Sequence, residues 1–177
     1  GDGGPKSGAL FNSPMDVTVA SDGGVYVADL SNNRVRHISP AGTISTITGI
    51  GIAAGTGDGG PATAAAVNAP SGVTIAPDGS LWVTTIYRLR RIDANGTIST
   101  VAGTGTSSNS WATGLPASAM STLRLWDTAF LPDGSPIVSD GSLRVVRELV
   151  PPPGPPTAVT VAATSTTSAS ISWTAPD

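Results

Sequence analysis

The sequence predicts an all-β fold, a partial β-propeller of about three four-stranded antiparallel blades, and three observations predict it. Residues 57–105 hold four short apolar runs, Val73–Ala76, Leu81–Thr84, Leu89–Ile92 and Ile98–Ala102. Between runs lie Asp78-Gly79 and Asn95-Gly96, which read as two-residue hairpin turns because glycine accepts φ > 0 without steric cost. The same text occurs upstream and, eroded, downstream. A period of about 55 residues with four strands per unit is the signature of propeller blades, each of which buries its faces on its neighbours.

The copies align residue by residue. GDGGP at Gly1 matches GDGGP at Gly57, Pro14 matches Pro70, and Asp22-Gly23 matches Asp78-Gly79. After Asp29 the second copy is two residues shorter, and Arg34–Ile38 then matches Arg88–Ile92. The third copy keeps Leu131-Pro132-Asp133-Gly134-Ser135, and its Val146–Leu149 matches Val35–Ile38. It lacks GDGGP. The blades are therefore assigned to residues 1–51, 57–105 and 106–149.

In chain order, Gly1–Ser13 is expected to be an inter-blade loop and Met15–Ala20 the innermost strand. Val25–Asp29, Arg34–Ser39 and Thr43–Thr48 complete the first blade, and the second follows the same plan. The third supplies Trp126–Leu131, Pro136–Asp140 and Leu143–Leu149. Residues 150–156 are proline-rich where a fourth strand would continue, and proline donates no ladder hydrogen bond, so the third blade is expected to lack its outer strand. The first blade opens with a full lead-in loop, so further blades upstream and a truncated ring are expected. Residues 157–177 contain two alternating runs, Ala158–Ala162 and Ala169–Thr174, and should form one hairpin.

The text GDGGPATAA with PSGV and PDGSLWV, together with NNRVRHI and GTIST, resembles the NHL-repeat family of β-propellers over residues 1–149. Residues 157–177, with their proline lead-in and Trp173, look like the N-terminal fragment of a fibronectin type III β-sandwich. The resemblance implies a modular, bacterial-type secreted or surface protein and a non-catalytic recognition scaffold. An enzyme reading is also open, because lactonase-like and lyase propellers resemble this fold and hold a metal in the central channel. A passive spacer is a third.

Composition narrows the classes. Charged residues make up 12% of 177, with 22 Gly and 15 Pro, which suits many turns. No run of 18 apolar residues occurs, so no membrane insertion is expected. Cysteine is absent, which excludes disulfides and thiolate metal sites. A net charge of −3 argues against nucleic acid as a partner. His37 is the single histidine, and no phosphate loop or nucleophile elbow occurs, so neither catalytic residue, metal nor cofactor is expected.

Asp2, Asp22, Asp58, Asp78, Asp133 and Asp140 each precede Gly and read as isolated turn residues rather than a calcium site, which needs six to eight converging oxygens. Third-strand arginines (Arg34, Arg36, Arg88, Arg90, Arg91, Arg144, Arg147) read as solvated rim charge, with an acidic ligand as the alternative. In a four-strand meander the tight turns share one face and the long loops the other. Loops on a rigid scaffold are where binding concentrates. Strand direction puts Asp16, Asp29, Arg34, Asp127, Asp140 and Arg144 near the long-loop face, with Arg34 and Arg144 opening third strands. Asn32, Asn33, Asp58, Tyr87, Arg88 and Trp111 complete the candidate binding set, for a protein or carbohydrate partner. A local reading competes: each Asp caps its loop and pairs with its own Arg.

Overall fold

The computed structural model describes residues 1–106, 117, 124–141 and 144–149, and the backbone of 157–163 and 169–174. The linker 150–156 and Trp111 lie outside the described residues. Three antiparallel sheets follow in order. The first comprises β1 (Pro14–Val19), β2 (Val25–Asp29), β3 (Arg34–Ile38) and β4 (Ile44–Thr48). The second comprises β5 (Gly72–Ile75), β6 (Leu81–Thr84), β7 (Leu89–Ile92) and β8 (Ile98–Ala102). The third comprises β9 (Leu125–Phe130), β10 (Pro136–Asp140) and β11 (Val145–Glu148). β12 (Thr157–Ala163) and β13 (Ala169–Thr174) pair antiparallel as a separate hairpin. β5 packs between β1 and β9, so the first strands converge on the inside of an arc of blades.

The tight turns differ from the two-residue form expected. At Ala76–Gly79 the Gly79 N–H donates to Ala76 C=O at 2.9 Å, and the Ala76 N–H donates to Ser80 C=O at 2.9 Å. Gly79 has φ +82°, and Asp78 keeps an ordinary negative φ. That is a type I turn closed by a left-handed glycine, in which only one residue needs φ > 0. Ala20–Gly23, Ser39–Gly42, Asp93–Gly96 and Leu131–Gly134 repeat the pattern. Asp22, Asp78 and Asp133 each accept the N–H two residues on, at 2.8, 2.9 and 2.9 Å. These aspartates are turn formers, because their carboxylates substitute for a backbone acceptor.

Blade two is buried on both faces. Leu81 and Val83 join Ala28, Val35, Val67 and Val73 in a core between blades one and two. Trp82, pointing the other way, joins Leu89, Leu125, Val138 and Leu149 between blades two and three. The edge of Phe130 meets the Trp82 ring, with centroids 5.1 Å apart and an interplanar angle of 88°. Each fully buried valine or leucine stabilises by roughly 1.5–3 kcal/mol.

GDGGP is not a free inter-blade loop. Residues 1–5 return along the outer edge of β4: Gly3 N–H donates to Ile44 C=O, Ile44 N–H to Gly4 C=O, and Lys6 N–H to Gly42 C=O. Residues 57–61 do the same on β8 through Ile98 and Gly96. Each strap ends in a short 3₁₀ turn, Lys6–Gly8 or Ala62–Ala64. The second strap then buries Ala62, Ala65 and Val67 between blades. Its glycines permit this path: Gly57 has φ +92° and its backbone lies against Ala65.

The straps explain Arg36 and Arg90, which depart from the solvated-rim expectation, whereas Arg144 is exposed as expected. Arg36 is 6% exposed and Arg90 fully buried. Arg90 Nη2 donates to Asp58 Oδ1 at 2.7 Å, and Thr100 Oγ1 donates to Asp58 Oδ2 at 2.7 Å. Arg36 pairs with Asp2 in the equivalent way. A buried cation needs a carboxylate, and the strap brings one over the third strand. Burial lowers the Arg90 pKa, against the opposing pull of Asp58.

Candidate recognition face

The long-loop face is built from β2–β3 corners and the segments joining blades. In blade one, Asp29 is fully buried and accepts Asn12 N–H at 2.7 Å and Asn32 Nδ2 at 2.8 Å. It caps its loop as the local reading holds, but its ion-pair partner is Arg36, at 3.8 Å, rather than Arg34. Asn33 takes φ +50° to turn the chain into β3, and its Oδ1 accepts Ala69 N–H at 2.9 Å, tying the corner to the lead-in of blade two. Arg34 spends its guanidinium on carbonyls, Asn32 at 3.1 Å and Ile50 at 3.4 Å.

Blade two has Thr85 where blade one has Asp29. The Thr85 N–H and hydroxyl both donate to Arg88 C=O, each at 2.8 Å, closing a shorter corner. Arg88 donates to the carbonyls of Gly55 and Thr104, the latter at 3.0 Å. The connection 49–56 is therefore held at one end by Arg34 and at the other by Arg88. Gly49 adopts φ +94° against the Asn33 carbonyl, where a side chain has no room. Ile50 and Ile52 are 45% and 58% exposed on this held segment. Beside it Gly55, Asn68, Ile86, Tyr87 and Arg88 line an open notch of about 30 Å³.

Blade three differs again. Asp140 is buried, at 1% exposure. Arg144 does not open the third strand: it has φ +58° and occupies the left-handed position of Asn33, and β11 begins at Val145 opposite Asp140. Arg124 lies 4.3 Å over the Trp126 ring.

Asp16 and Asp127 occupy equivalent positions on first strands, flanking Gly72 of β5. Each accepts the next residue's N–H, Val17 at 2.8 Å and Thr128 at 2.7 Å. Gly72 supplies no carboxylate, and Val73 N–H instead donates across the blades to Asp16 Oδ2 at 2.8 Å. Asp127 is exposed as a residue, yet its carboxyl packs against Gly72. That loss of water, and then the Asp16 charge, raise its pKa.

The structure thus gathers Asp29, Asn32, Asn33 and Arg34 at one corner, and Tyr87 and Arg88 at the next. Asp58 is not with them: it is drawn onto the blade edge by Arg90. The sequence reading did not single out Ile50, Ile52 or Asn68. The signal was present, because Ile50 and Ile52 stand where the second copy has Thr104 and Thr106. Among the described residues no group of three or more His, Asp or Glu side chains gathers as metal ligands.

Residues 51–130 match the Teneurin NHL domain, and residues 11–38 match the NHL repeat. Residues 11–38 and 51–130 are thus similar to NHL repeats, and the sheets are those of a β-propeller segment. A comparison with curated proteins finds no match. Among solved structures, a protein of unknown function from Bacteroides thetaiotaomicron is similar at 22% identity and TM-score 0.63, over 72% of this chain and 32% of that one. A catalytically inactive virginiamycin B lyase from Staphylococcus aureus, crystallised with quinupristin, is similar at 19% identity and TM-score 0.53, over 81% and 40%. An auxiliary nutrient binding protein from Bacteroides ovatus is similar at 15% identity and TM-score 0.60, over 76% and 36%. The chain spans about a third to two-fifths of the length of these proteins. At such identities the likeness is one of fold.

Proposed function

We propose that this NHL-type segment is a non-catalytic recognition module that binds a protein or carbohydrate through its long-loop face. The observation that carries the reading is the 49–56 connection. Its backbone is held at both ends by arginine–carbonyl hydrogen bonds, while Ile50 and Ile52 project from it beside the Tyr87 notch. A held loop loses little entropy on binding, and apolar side chains on it gain from burial. The notch is below the roughly 300–1,000 Å³ of enclosed small-molecule sites, which favours an extended partner laid across the face. His37, the single histidine, stacks on Tyr26 at 4.6 Å within blade one, which supports a non-catalytic role. In this reading the module belongs to a secreted or surface protein, and β12–β13 opens a fibronectin type III domain.

The test is a glycan array and an extracellular-protein array, probed with the chain and with an I50S/I52S/Y87A variant. The reading expects hits that the variant loses. Hits that the variant retains in full, or no hits on either array, contradict it.

A further inference from the structure

We propose that the notch at the β6–β7 corner is a carboxylate site, and that it takes the acidic side chain of a peptide whose apolar neighbours lie on Ile50 and Ile52. The proposal rests on the recognition-face reading above and names the anchor of that face.

Blade one shows what the notch is missing. Its β2–β3 corner is closed by Asp29, whose buried carboxylate accepts Asn12 N–H at 2.7 Å. Asn68 is the counterpart of Asn12. It stands two residues before Pro70 as Asn12 does before Pro14, and its C=O accepts Ile86 N–H as that of Asn12 accepts Ser31 N–H. Thr85 stands in place of Asp29 and turns its hydroxyl back onto Arg88 C=O. The Asn68 N–H is thereby left with no acceptor among the described residues.

Charge follows the same division. In blade one, Arg34 and Arg36 stand with Asp29 and Asp2. In blade two, Arg88 and Arg90 stand with Asp58 alone among the described residues, and Asp58 is engaged by Arg90 and Thr100. Burial chiefly, and the Arg88 charge with it, lower the Arg90 pKa, so the two cations lie near enough to repel. Arg88 is half-buried and packed against the Gly55 and Gly105 backbones. Its bonds to the Gly55 and Thr104 carbonyls leave its other N–H donors unclaimed among the described residues. The opening of about 30 Å³ takes two water-sized oxygens, at about 10–15 Å³ each. That is the bulk of a carboxylate, which meets a guanidinium through two oxygens. The exposed isoleucines beside it favour a peptide over a uronic acid, whose ring hydroxyls would need polar partners there.

Amide and arginine Nε–H spectra of the ¹⁵N-labelled 177-residue chain test this. The probes are a capped Gly-Ile-Glu-Ile-Gly peptide, the same peptide with Gln for Glu, and glucuronate. The Glu peptide should shift the Asn68 amide and the Arg88 Nε–H saturably. The Gln peptide should bind about tenfold more weakly, as a lost charge-assisted hydrogen bond requires, and glucuronate should also be weaker. Thr85→Asp refills the notch with a tethered carboxylate, so it should keep the parent's circular dichroism and lose the response. Arg88→Gln should weaken the Glu peptide and leave the Gln peptide unchanged. Equal binding of the two peptides, an undiminished response in Thr85→Asp, or no response at Asn68 and Arg88 would each overturn the proposal. Glucuronate binding more tightly than the Glu peptide would overturn the choice of a peptide. Array hits lost by I50S/I52S/Y87A but kept by Thr85→Asp would overturn the notch and leave the recognition face standing.

Discussion

Asp58→Asn should destabilise the chain more than Asp2→Asn, although the two aspartates occupy equivalent positions in the two straps. Arg90 is fully buried, and Asp58 is the one carboxylate within 4 Å of it among the described residues. Its other acceptors are carbonyls, Thr56 at 3.2 Å and Ala66 at 3.3 Å. Removing the partner of a buried charge costs about 3–5 kcal/mol. The Asp58 side chain is 46% exposed, so the lower end applies, about 3 kcal/mol. Arg36 differs, because Asp29 stands 3.8 Å away as a second carboxylate. Asp2→Asn should cost about 1 kcal/mol, as an exposed pair does. Thermal melts should separate the variants by several degrees, at roughly 2–4 °C per kcal/mol for a chain of this size. Thr85→Asp, which restores the Asp29 equivalent, should recover part of the loss in the Asp58→Asn background. Equal losses for the two single variants, or no recovery, would refute the account of the straps as charge partners.

Three further outcomes follow from particular groups. Hydrogen bonds from the Ser80 hydroxyl and N–H, with Arg91 beside them, hold the Asp78 pKa at about 2. Whatever stability this gives is present above the unfolded value of about 3.9 and is lost as pH falls through 2, and an NMR titration midpoint near 4 would contradict it. Asp127 has the opposite sign: its folded pKa is raised, so wild type should gain stability relative to Asp127→Asn as pH falls from 7 toward 4, and thermal melts showing no relative gain would refute this. Gly49→Ala should cost more than Gly59→Ala, because both have φ near +80° to +94° but only Gly49 faces a carbonyl at its Cβ position; the strain alone is about 1–3 kcal/mol, and equal urea midpoints would contradict the close approach.

The strands were legible because repetition fixed their register. Val25–Asp29, Leu81–Thr84, Leu89–Ile92, Ile98–Ala102, Pro136–Asp140 and Ala169–Thr174 have the expected bounds. The turns were placed correctly, but their type was not. Asp-Gly is compatible with two geometries, and here the glycine N–H reaches the carbonyl two residues before the pair, as Gly79 reaches Ala76. Arg36 and Arg90 were misplaced because alternation along β3 and β7 says which face a side chain takes, not what covers it. Their cover comes from 32 to 34 residues away, in GDGGP, whose glycines look like loop but run as an edge. Asp29 was recognised as a loop cap, yet its diagonal partner Arg36 could not be told from Arg34, which shares its face. Ile50 and Ile52 were hidden by their glycine-rich surroundings.

Hydrogen exchange resolved by strand tests the central claim, that stacked blades bury the middle one on both sides. Amides of β6 and β7, between two apolar cores, should be the slowest in the chain. Those of β11, whose outer edge has no strand beyond it among the described residues, should exchange much faster. Protection of β6 and β7 no greater than that of β11 would contradict the stacked arrangement.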